Sequence, residues 1–520
     1  MPDAIPRNYG ENCNRLGNVT KYLQLVALLC DLPEAIRRQV AALPCLNNYP
    51  GDQLQFCIYP FIMQSLRFLI SLLFLTTAAA CSTPRTSNPE TAASGVEPST
   101  ETAQQPAPSP QNKQPPSATI ATKNAVRTKT LRSQPIKITL DSLPKPFATN
   151  SASQSPKIIP VPPNPTLNVP AGFKVNVYAD NLDAPRWLRL TPSGDVLVTE
   201  TRANRIRLLR DTNGDGVADV SKAFATAENG VNIPFGMTFA GDSFFLANTG
   251  AILRFPYSQG QQQLTGQGQK IADLTPGGYN QHWTRNVLAS PDGTKLYVTI
   301  GSKSNVDEEP LPRASVQVMN LDGSNPQTFA YGLRNPVGID FHPSTGELYT
   351  TVNERDGIGD DLVPDYFTRI RQGEFYGWPY AYLAPNLIEP RQTVNGQSKR
   401  PDLVAKTQTP DVLFQAHSAA LGLQFYDKNT FPKKYRNGAF VAFRGSWNRN
   451  QGTGYKVVFI PFDAQGRPQG YYEDFLMGFL VNPSGPNTWG RPVGLLVLPD
   501  GSLLVTEEAN NRIYRIQYQG

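Results

Sequence analysis

Cysteine and histidine are too scarce in this chain for most thiol and transition-metal chemistry. All five cysteines (positions 13, 30, 45, 57 and 81) lie in the first 81 of 520 residues. The remaining residues therefore have no disulfide framework, thiolate nucleophile or zinc–thiolate site. Only three histidines exist, His282, His342 and His417. A metal site beyond residue 81 must use oxygen or imidazole ligands.

A surplus of one charge is also missing from most of the chain. The chain has 48 basic and 42 acidic residues, but residues 166–520 have 33 of each. The net charge of +6 therefore belongs to the first 165 residues. Because a nucleic-acid-binding protein needs a basic face, the sequence predicts no nucleic-acid partner.

No apolar run is long enough to cross a membrane comfortably. The longest, residues 68–80, follows Arg67 and ends in Ala78-Ala79-Ala80-Cys81. A basic start, a short apolar stretch and small residues are typical of a secretory signal. The end resembles the lipobox of bacterial lipoproteins, whose cysteine is lipidated. Residues 63–81 are thus predicted to be a lipoprotein signal with a membrane anchor at Cys81; the alternative is a plain signal cut at Ala-x-Ala.

Two segments flank this signal. Residues 1–62 precede it. We expect that the start codon has been assigned too far upstream and that Met63 is the initiator; the alternative is that these residues are an N-terminal extension. Residues 82–165 are rich in Pro, Ser, Thr and Gln and poor in aromatic residues. Such a composition buries too little apolar surface to offset the entropy of ordering. It predicts a disordered linker that tethers a soluble domain to the membrane.

A repeat runs through residues 166–520. Each copy is a Pro/Asp/Gly turn followed by an apolar strand, and the copies lie at 191–200, 240–248, 290–301, 342–354, 436–445 and 498–508. Six copies of roughly sixty residues are typical of four-stranded propeller blades. The sequence predicts an all-β, six-bladed β-propeller. Residues 356–409 make the fourth spacing longer and are a candidate functional insertion.

Several loops before the predicted strands have unusual polar residues. His282 precedes the third copy, and imidazole suits proton transfer near neutral pH, although a loop histidine is often only bonded to a carbonyl. Arg334 and Asn335 precede a Pro-Val-Gly turn, and Arg491 precedes a second. Arginine suits carboxylate ligands, but on loops it is usually solvated.

Two acidic loops are candidate Ca²⁺ sites. Residues 353–365 contain five acidic residues, Glu354, Asp356, Asp360, Asp361 and Asp365, whose oxygens suit this hard cation, although a solvated acidic loop has the same composition. Residues 211–219 have the oxygen spacing of an EF-hand loop but lack its last glutamate. Weak Ca²⁺ binding and a plain turn remain open there.

These motifs together resemble a known family. The segments HWTRN (282–286), NVDEE (305–309), GLRNPVG (332–338), NERDGIGDDLVPDY (353–366), FYGWPY (375–380), HSAALGL (417–423), FRGSWNR (443–449) and WGRPVG (489–494) look like the bacterial glucose/sorbosone dehydrogenases. Those are soluble periplasmic quinoproteins, six-bladed propellers that bind pyrroloquinoline quinone (PQQ) and Ca²⁺. The resemblance covers nearly all of residues 166–520 and is strongest for the L-sorbosone branch.

The resemblance implies a role for each matching residue. His282 would be the general base, taking the substrate hydroxyl proton while hydride passes to the quinone. Arg334 and Asn335 would lie against the quinone oxygens, and Arg444, Arg491 and Trp489 would bind the rest of the cofactor. The 354–361 loop would supply the Ca²⁺ ligands, which are Glu354, Asp356, Asp360 and Asp361.

Three positions near these motifs limit the resemblance. Gln281 stands where the glucose-oxidising branch has an acidic residue, which puts glucose as substrate in doubt. His417 lies in a family motif without an assigned role. His342 opens a strand turn and is interpreted as structural.

We therefore expect a PQQ-dependent dehydrogenase of an aldose, a sorbosone-like aldehyde or a related polyol. It would be anchored in the periplasm and pass electrons to an acceptor that the sequence does not name. Two alternatives stay open: a Ca²⁺-dependent lactonase on a similar propeller, and a propeller that binds a ligand without catalysis.

Overall fold

The computed structural model describes residues 124–275 and 282–520. The predicted extension 1–62, the signal 63–81 with Cys81, the first part of the linker and Gln281 lie outside the described residues. Among the residues described, no helix has the length and hydropathy of a membrane span. The only α-helix there is α1 (Pro401–Val404), beside 3-10 helices at Leu140–Ser142, Ala227–Asn229, Pro390–Gln392 and Lys433–Tyr435.

Strands make up the rest of the regular structure. The chain starts with β1 (Ala125–Thr130), β2 (Pro135–Ile136), β3 (Lys157–Ile158), β4 (Thr166–Val169) and β5 (Phe173–Ala179). The first sheet follows as β6 (Pro185–Leu190), β7 (Val196–Glu200), β8 (Arg205–Arg210) and β9 (Val220–Ala225). The second is β10 (Pro234–Ala240), β11 (Ser243–Asn248), β12 (Ala251–Pro256) and β13 (Gln269–Asp273). The third is β14 (Arg285–Ala289), β15 (Lys295–Ile300), β16 (Ser315–Asn320) and β17 (Gln327–Tyr331).

The second half repeats this order with additions. The fourth sheet has β18 (Pro336–Phe341), β19 (Leu348–Val352), β20 (Tyr366–Ile370) and β23 (Val412–Leu413), with β21 (Thr393–Val394) and β22 (Gln397–Ser398) in between. The fifth has β24 (Ala420–Phe425), β25 (Ala439–Phe443), β26 (Lys456–Ile460) and β27 (Tyr472–Leu476), followed by β28 (Leu480–Asn482) and β29 (Asn487–Thr488). The last has β30 (Pro492–Val497), β31 (Leu503–Glu507) and β32 (Arg512–Tyr518).

The six predicted repeats are the second strands of these six sheets: β7, β11, β15, β19, β25 and β31. The all-β prediction is therefore confirmed. The predicted insertion is only partly separate, because β20 belongs to the fourth sheet and the extra residues begin after Ile370. The last sheet takes β5 as its next strand, with Tyr514 opposite Val177, so the two ends of the repeat region meet in one sheet.

The first strands of the sheets contact one another in the cyclic order β6, β10, β14, β18, β24, β30 and back to β6. Buried apolar side chains fill the space between neighbouring sheets; Leu208 and Phe224 of the first, for example, share a cluster with Phe244 of the second. Glycine allows the closest approaches at the centre. A Cβ on Gly494 of β30 would collide with the carbonyl oxygen of Arg186 on β6.

We therefore expect Gly494→Ala to lower the free energy of unfolding by about 1–3 kcal/mol, because overpacking forces the two strands apart. Thermal unfolding measures this directly. Gly293→Asn is the control, since Gly293 has open space and a left-handed backbone (φ +69°) that asparagine tolerates. Equal unfolding temperatures for wild type and Gly494→Ala would contradict the close approach.

The linker prediction is wrong from residue 124 onward. There the segment is ordered against the repeat region: β1 pairs with β5 and β4, β2 with β27, and β3 with β29. Backbone hydrogen bonds attach it, and apolar side chains such as Val126, Ile138 and Leu140 pack against the hydrophobic clusters of the repeat region. Prolines lower the entropic cost, because their φ is already fixed near the extended range. The amino-acid composition of the segment indicates neither these long-range contacts nor the lower entropic cost due to the prolines.

Candidate active site

A cavity of about 1030 Å³ opens where the six first strands begin. The residue immediately before each of these strands lines it: Ala184, Ile233, Thr284, Asn335, Ala419 and Arg491. The volume is at the upper end of the range for sites that enclose a drug-sized ligand. The cyclic order of the strands therefore brings residues from six distant parts of the chain to one site.

His282 lies in this cavity and is 4% exposed. Its Nδ1 is 3.1 Å from the Ser302 carbonyl oxygen and 2.9 Å from Ser302 Oγ. That hydroxyl donates its own hydrogen to the Ser304 carbonyl. Both atoms facing Nδ1 are thus acceptors, so Nδ1 carries the hydrogen and Nε2 carries the lone pair. Burial and the nearby Arg334 charge hold the pKa of His282 well below its usual range, which keeps the imidazole neutral.

Arg334 and Asn335 line the same cavity as His282. Arg334 is 2% exposed, and its Nη1 donates to the Glu354 carbonyl (2.6 Å). Its Nη2 donates to Asn305 Oδ1 (2.8 Å) and to Asp356 Oδ2 (3.0 Å). These bonds fix a positive charge in the cavity wall. Asn335 Oδ1 is buried without a hydrogen-bond partner among the described residues.

Three arginines surround one carboxylate on another part of the wall. Arg186 and Arg444 both donate to Glu508, and the Arg491 charge also lowers the Glu508 pKa against the effect of burial. Burial and then Arg444 lower the pKa of Arg491 to about 9. Glu507 faces backbone N–H groups instead, and burial raises its pKa to about 7. Three guanidinium groups against one ionised Glu508 leave a surplus of positive charge that suits an anionic ligand.

The predicted metal ligands do not come together. Glu354 and Asp356 line the cavity, but Asp360 accepts from the backbone N–H of Asn450, and Asp361 is half exposed and 2.5 Å from Arg449. No three Asp, Glu, His or Cys side chains in the described ranges are grouped to hold a metal ion. The acidic residues diverge because the loop turns at Gly357 and Gly359, both with positive φ.

Asp356 is also committed to other partners. Its Oδ1 accepts from Asn448 Nδ2 (2.6 Å) and its Oδ2 from Arg334. Asn448 Nδ2 also lies 3.1 Å from Nδ1 of His417, whose Nε2 is 3.2 Å from the Gly359 carbonyl. His417 thus lines the cavity and connects the acidic loop to the loop of Asn448.

The remaining predicted residues lie elsewhere. Trp489 is 2% exposed, packs against Phe479 and donates from Nε1 to the Gly478 carbonyl, so it belongs to the core and not to the cavity lining. His342 stacks on Phe462 away from the cavity, in agreement with its structural interpretation. In the 211–219 loop, Asp211 accepts from the backbone N–H groups of Gly214 and Gly216, as in an ordinary turn.

Sequence reasoning missed Arg186 and Glu508. Arg186 follows the first proline of β6, where the second, fourth and last sheets have Phe235, Val337 and Val493. A charged residue at a position that is apolar in those three sheets was the available signal. Glu508 follows Glu507 at the end of β31, and only the folded structure shows that it faces Arg186.

The repeat region is similar to several known proteins. The model of the TrAA12-like family matches residues 167–365 and 367–519. An uncharacterized protein of Borreliella burgdorferi is 30% identical over 366 residues, which cover 68% of this chain and 91% of that protein. The pyrroloquinoline quinone-dependent pyranose dehydrogenase of Coprinopsis cinerea is 24% identical over 421 residues, covering 68% of this chain and 55% of the enzyme. This chain thus spans about half of that enzyme.

A solved structure has the same fold. The holo form of the PQQ domain of pyranose dehydrogenase from Coprinopsis cinerea aligns with a TM-score of 0.57 at 23% identity, covering 70% of this chain and 99% of that domain. The aligned part of the chain therefore has the fold of this PQQ domain.

Proposed function

The chain belongs to the TrAA12-like family, and from this premise we propose that it is a PQQ-dependent dehydrogenase that oxidises a sugar or a related aldehyde. We also infer that its six sheets are the blades of a six-bladed β-propeller. The substrate class comes from the sugar dehydrogenases among its relatives, and an aldose, a sorbosone-like aldehyde or a polyol all belong to it.

One observation carries the proposal: the cavity contains both a neutral, oriented imidazole and a cluster of arginines with surplus positive charge. PQQ is a planar tricarboxylate, so its site needs several charged donors. Arg186, Arg444 and Arg491 supply them, and the buried Arg186 Nε has no hydrogen-bond partner among the described residues. Asn335 offers a further polar group. The residues present therefore fit this cofactor.

Bound PQQ would accept the hydride that leaves the substrate carbon. The chain's own residues do the rest. His282 Nε2 accepts the substrate hydroxyl proton, and Ser302 holds the ring in the tautomer that allows this. Arg334 keeps a fixed positive charge beside the reacting groups, which stabilises negative charge as it develops. Its bonds to Asn305 and Asp356 prevent it from moving.

The acidic loop does not fit the Ca²⁺ site that the sequence suggested. Asp356 is bonded to Arg334 and Asn448, Glu354 Oε2 accepts from Arg355 (2.8 Å), and Asp360 and Asp361 face away from the cavity. We assign no step to this cation. A lactonase needs a central metal held by carboxylates, and the described residues have no such grouping.

Localisation remains a proposal from the sequence. The lipobox-like segment before Cys81 favours export and attachment to a membrane, with the oxidising site in the periplasm. An acceptor there would reoxidise the cofactor.

The proposal predicts that the purified protein binds PQQ and then reduces an artificial dye with a sugar or aldehyde. Absorbance titration measures the first step and a substrate panel the second. Failure to bind PQQ would contradict the proposal, and binding without turnover on any substrate would favour a ligand-binding propeller.

A further inference from the structure

The segment before the repeat region crosses to the cavity. We call residues 147–159 the strap. At its start, the backbone N–H of Phe147 donates to the Ile358 carbonyl (2.7 Å), and Thr149 Oγ1 accepts from the backbone N–H of Asp360 (2.8 Å). The strap therefore lies on the acidic loop of the fourth sheet.

The strap then reaches the fifth and last sheets. The backbone N–H of Gln154 donates to the Trp447 carbonyl (2.6 Å), and that of Ile159 donates to the Thr488 carbonyl (2.9 Å). Asn510 Nδ2 donates to the Ile159 carbonyl (3.0 Å). Loops of three sheets thus fix the strap.

Two strap residues, Ser155 and Pro156, line the cavity. They lie at its mouth, because Ser155 is exposed and Pro156 half-buried, whereas His282 and Arg491 are 4% and 9% exposed. Pro156 also restricts Ser155 to extended backbone, which gives this edge of the mouth a defined shape. The strap lies outside residues 167–519, which the family model matches.

We propose that the strap is a specificity-determining wall: Ser155 and Pro156 limit the size of the sugar that reaches His282. This rests on the proposed function for the identity of the substrate. Arg186 and Arg491, which are 5% and 9% exposed, place the cofactor site deep in the cavity, so a substrate that enters after the cofactor passes the strap. A larger side chain at Ser155, which is exposed at the mouth, would narrow this entrance.

Ser155→Phe tests the wall, and Ser153→Phe is the matched control, because Ser153 is an exposed strap residue that does not line the cavity. The substrates are the monosaccharide that the wild type oxidises best in the substrate panel and a disaccharide that contains this monosaccharide. We expect Ser155→Phe to raise the KM for the disaccharide relative to the monosaccharide on the order of tenfold. PQQ affinity and unfolding temperature should stay as in wild type. Equal KM ratios in the two variants would overturn the proposal.

A second readout does not need sugar oxidation. Trp283 and Trp447 line the cavity, so acrylamide entering the mouth quenches their fluorescence. Ser155→Phe should reduce this quenching and Ser153→Phe should not. A Trp447→Phe variant shows how much of the quenched fluorescence comes from Trp447. If Ser155→Phe reduces the quenching but the wild type oxidises no sugar, the proposed function is contradicted, whereas the position of the strap at the mouth is supported. Unchanged quenching would contradict the strap's position.

Discussion

We expect His282→Gln to lower turnover by about 10²–10⁴-fold, which is the usual contribution of a positioned general base. Glutamine keeps a polar side chain of similar reach but accepts no proton. PQQ affinity should remain near that of wild type, because a neutral imidazole adds no charge to the attraction for a tricarboxylate, whereas the arginines paired with Glu508 do. Absorbance titration followed by turnover at saturating PQQ separates the two quantities.

His342→Gln is the matched control. His342 is also a buried imidazole with a lowered pKa, but it stacks on Phe462 away from the cavity. The substitution His342→Gln should lower the free energy of unfolding and leave turnover unchanged. Full activity of the His282 variant would remove the proposed base, and equal loss in both variants would indicate a general effect on folding.

The same histidine predicts the pH dependence. Burial and Arg334 lower the pKa of His282, so the imidazole stays neutral and active below pH 6.5, the usual value for histidine. The acidic limb of kcat/KM should therefore lie below pH 6.5. Arg334→Gln, which removes one positive neighbour, should move this limb to higher pH. A limb at or above 6.5 in the wild type would contradict the buried neutral base.

The sequence predicted the strands better than the ends of the domain. Turn-plus-strand repeats are local signals, so the second strand of each of the six repeat sheets was found. Residues 124–165 were mistaken for linker because their order depends on hydrogen bonds to loops more than 200 residues away, such as that between Gln154 and Trp447.

The site shows the same division. His282, Arg334 and Arg491 lie just before first strands, so the repeat pattern itself places them in the cavity. The repeat pattern does not predict the direction of a side chain in an irregular loop. Asp360 and Asp361 were counted with Asp356 because they are close in sequence, yet they point to Asn450 and Arg449 instead.

Arg444→Gln tests the anion site. We expect it to weaken PQQ binding by about 10- to 150-fold, the effect of losing a hydrogen bond to a charged group worth about 1.5–3 kcal/mol. Arg444 is the best choice among the three arginines because its side chain is 32% exposed and Glu508 keeps Arg186 as a partner when it is removed. The loss should shrink at high salt, since part of the attraction is screened.

The control for that variant is Arg210→Gln. Arg210 is similarly exposed (36%) and also paired with a buried carboxylate, that of Asp195, but it does not line the cavity. Both changes remove one arginine from one such pair, so any general loss of stability should be comparable. Only Arg444→Gln should reduce affinity for PQQ, and turnover at saturating PQQ should fall less than in His282→Gln. Wild-type affinity in the Arg444 variant would show that the arginines around Glu508 serve the fold rather than an anionic ligand.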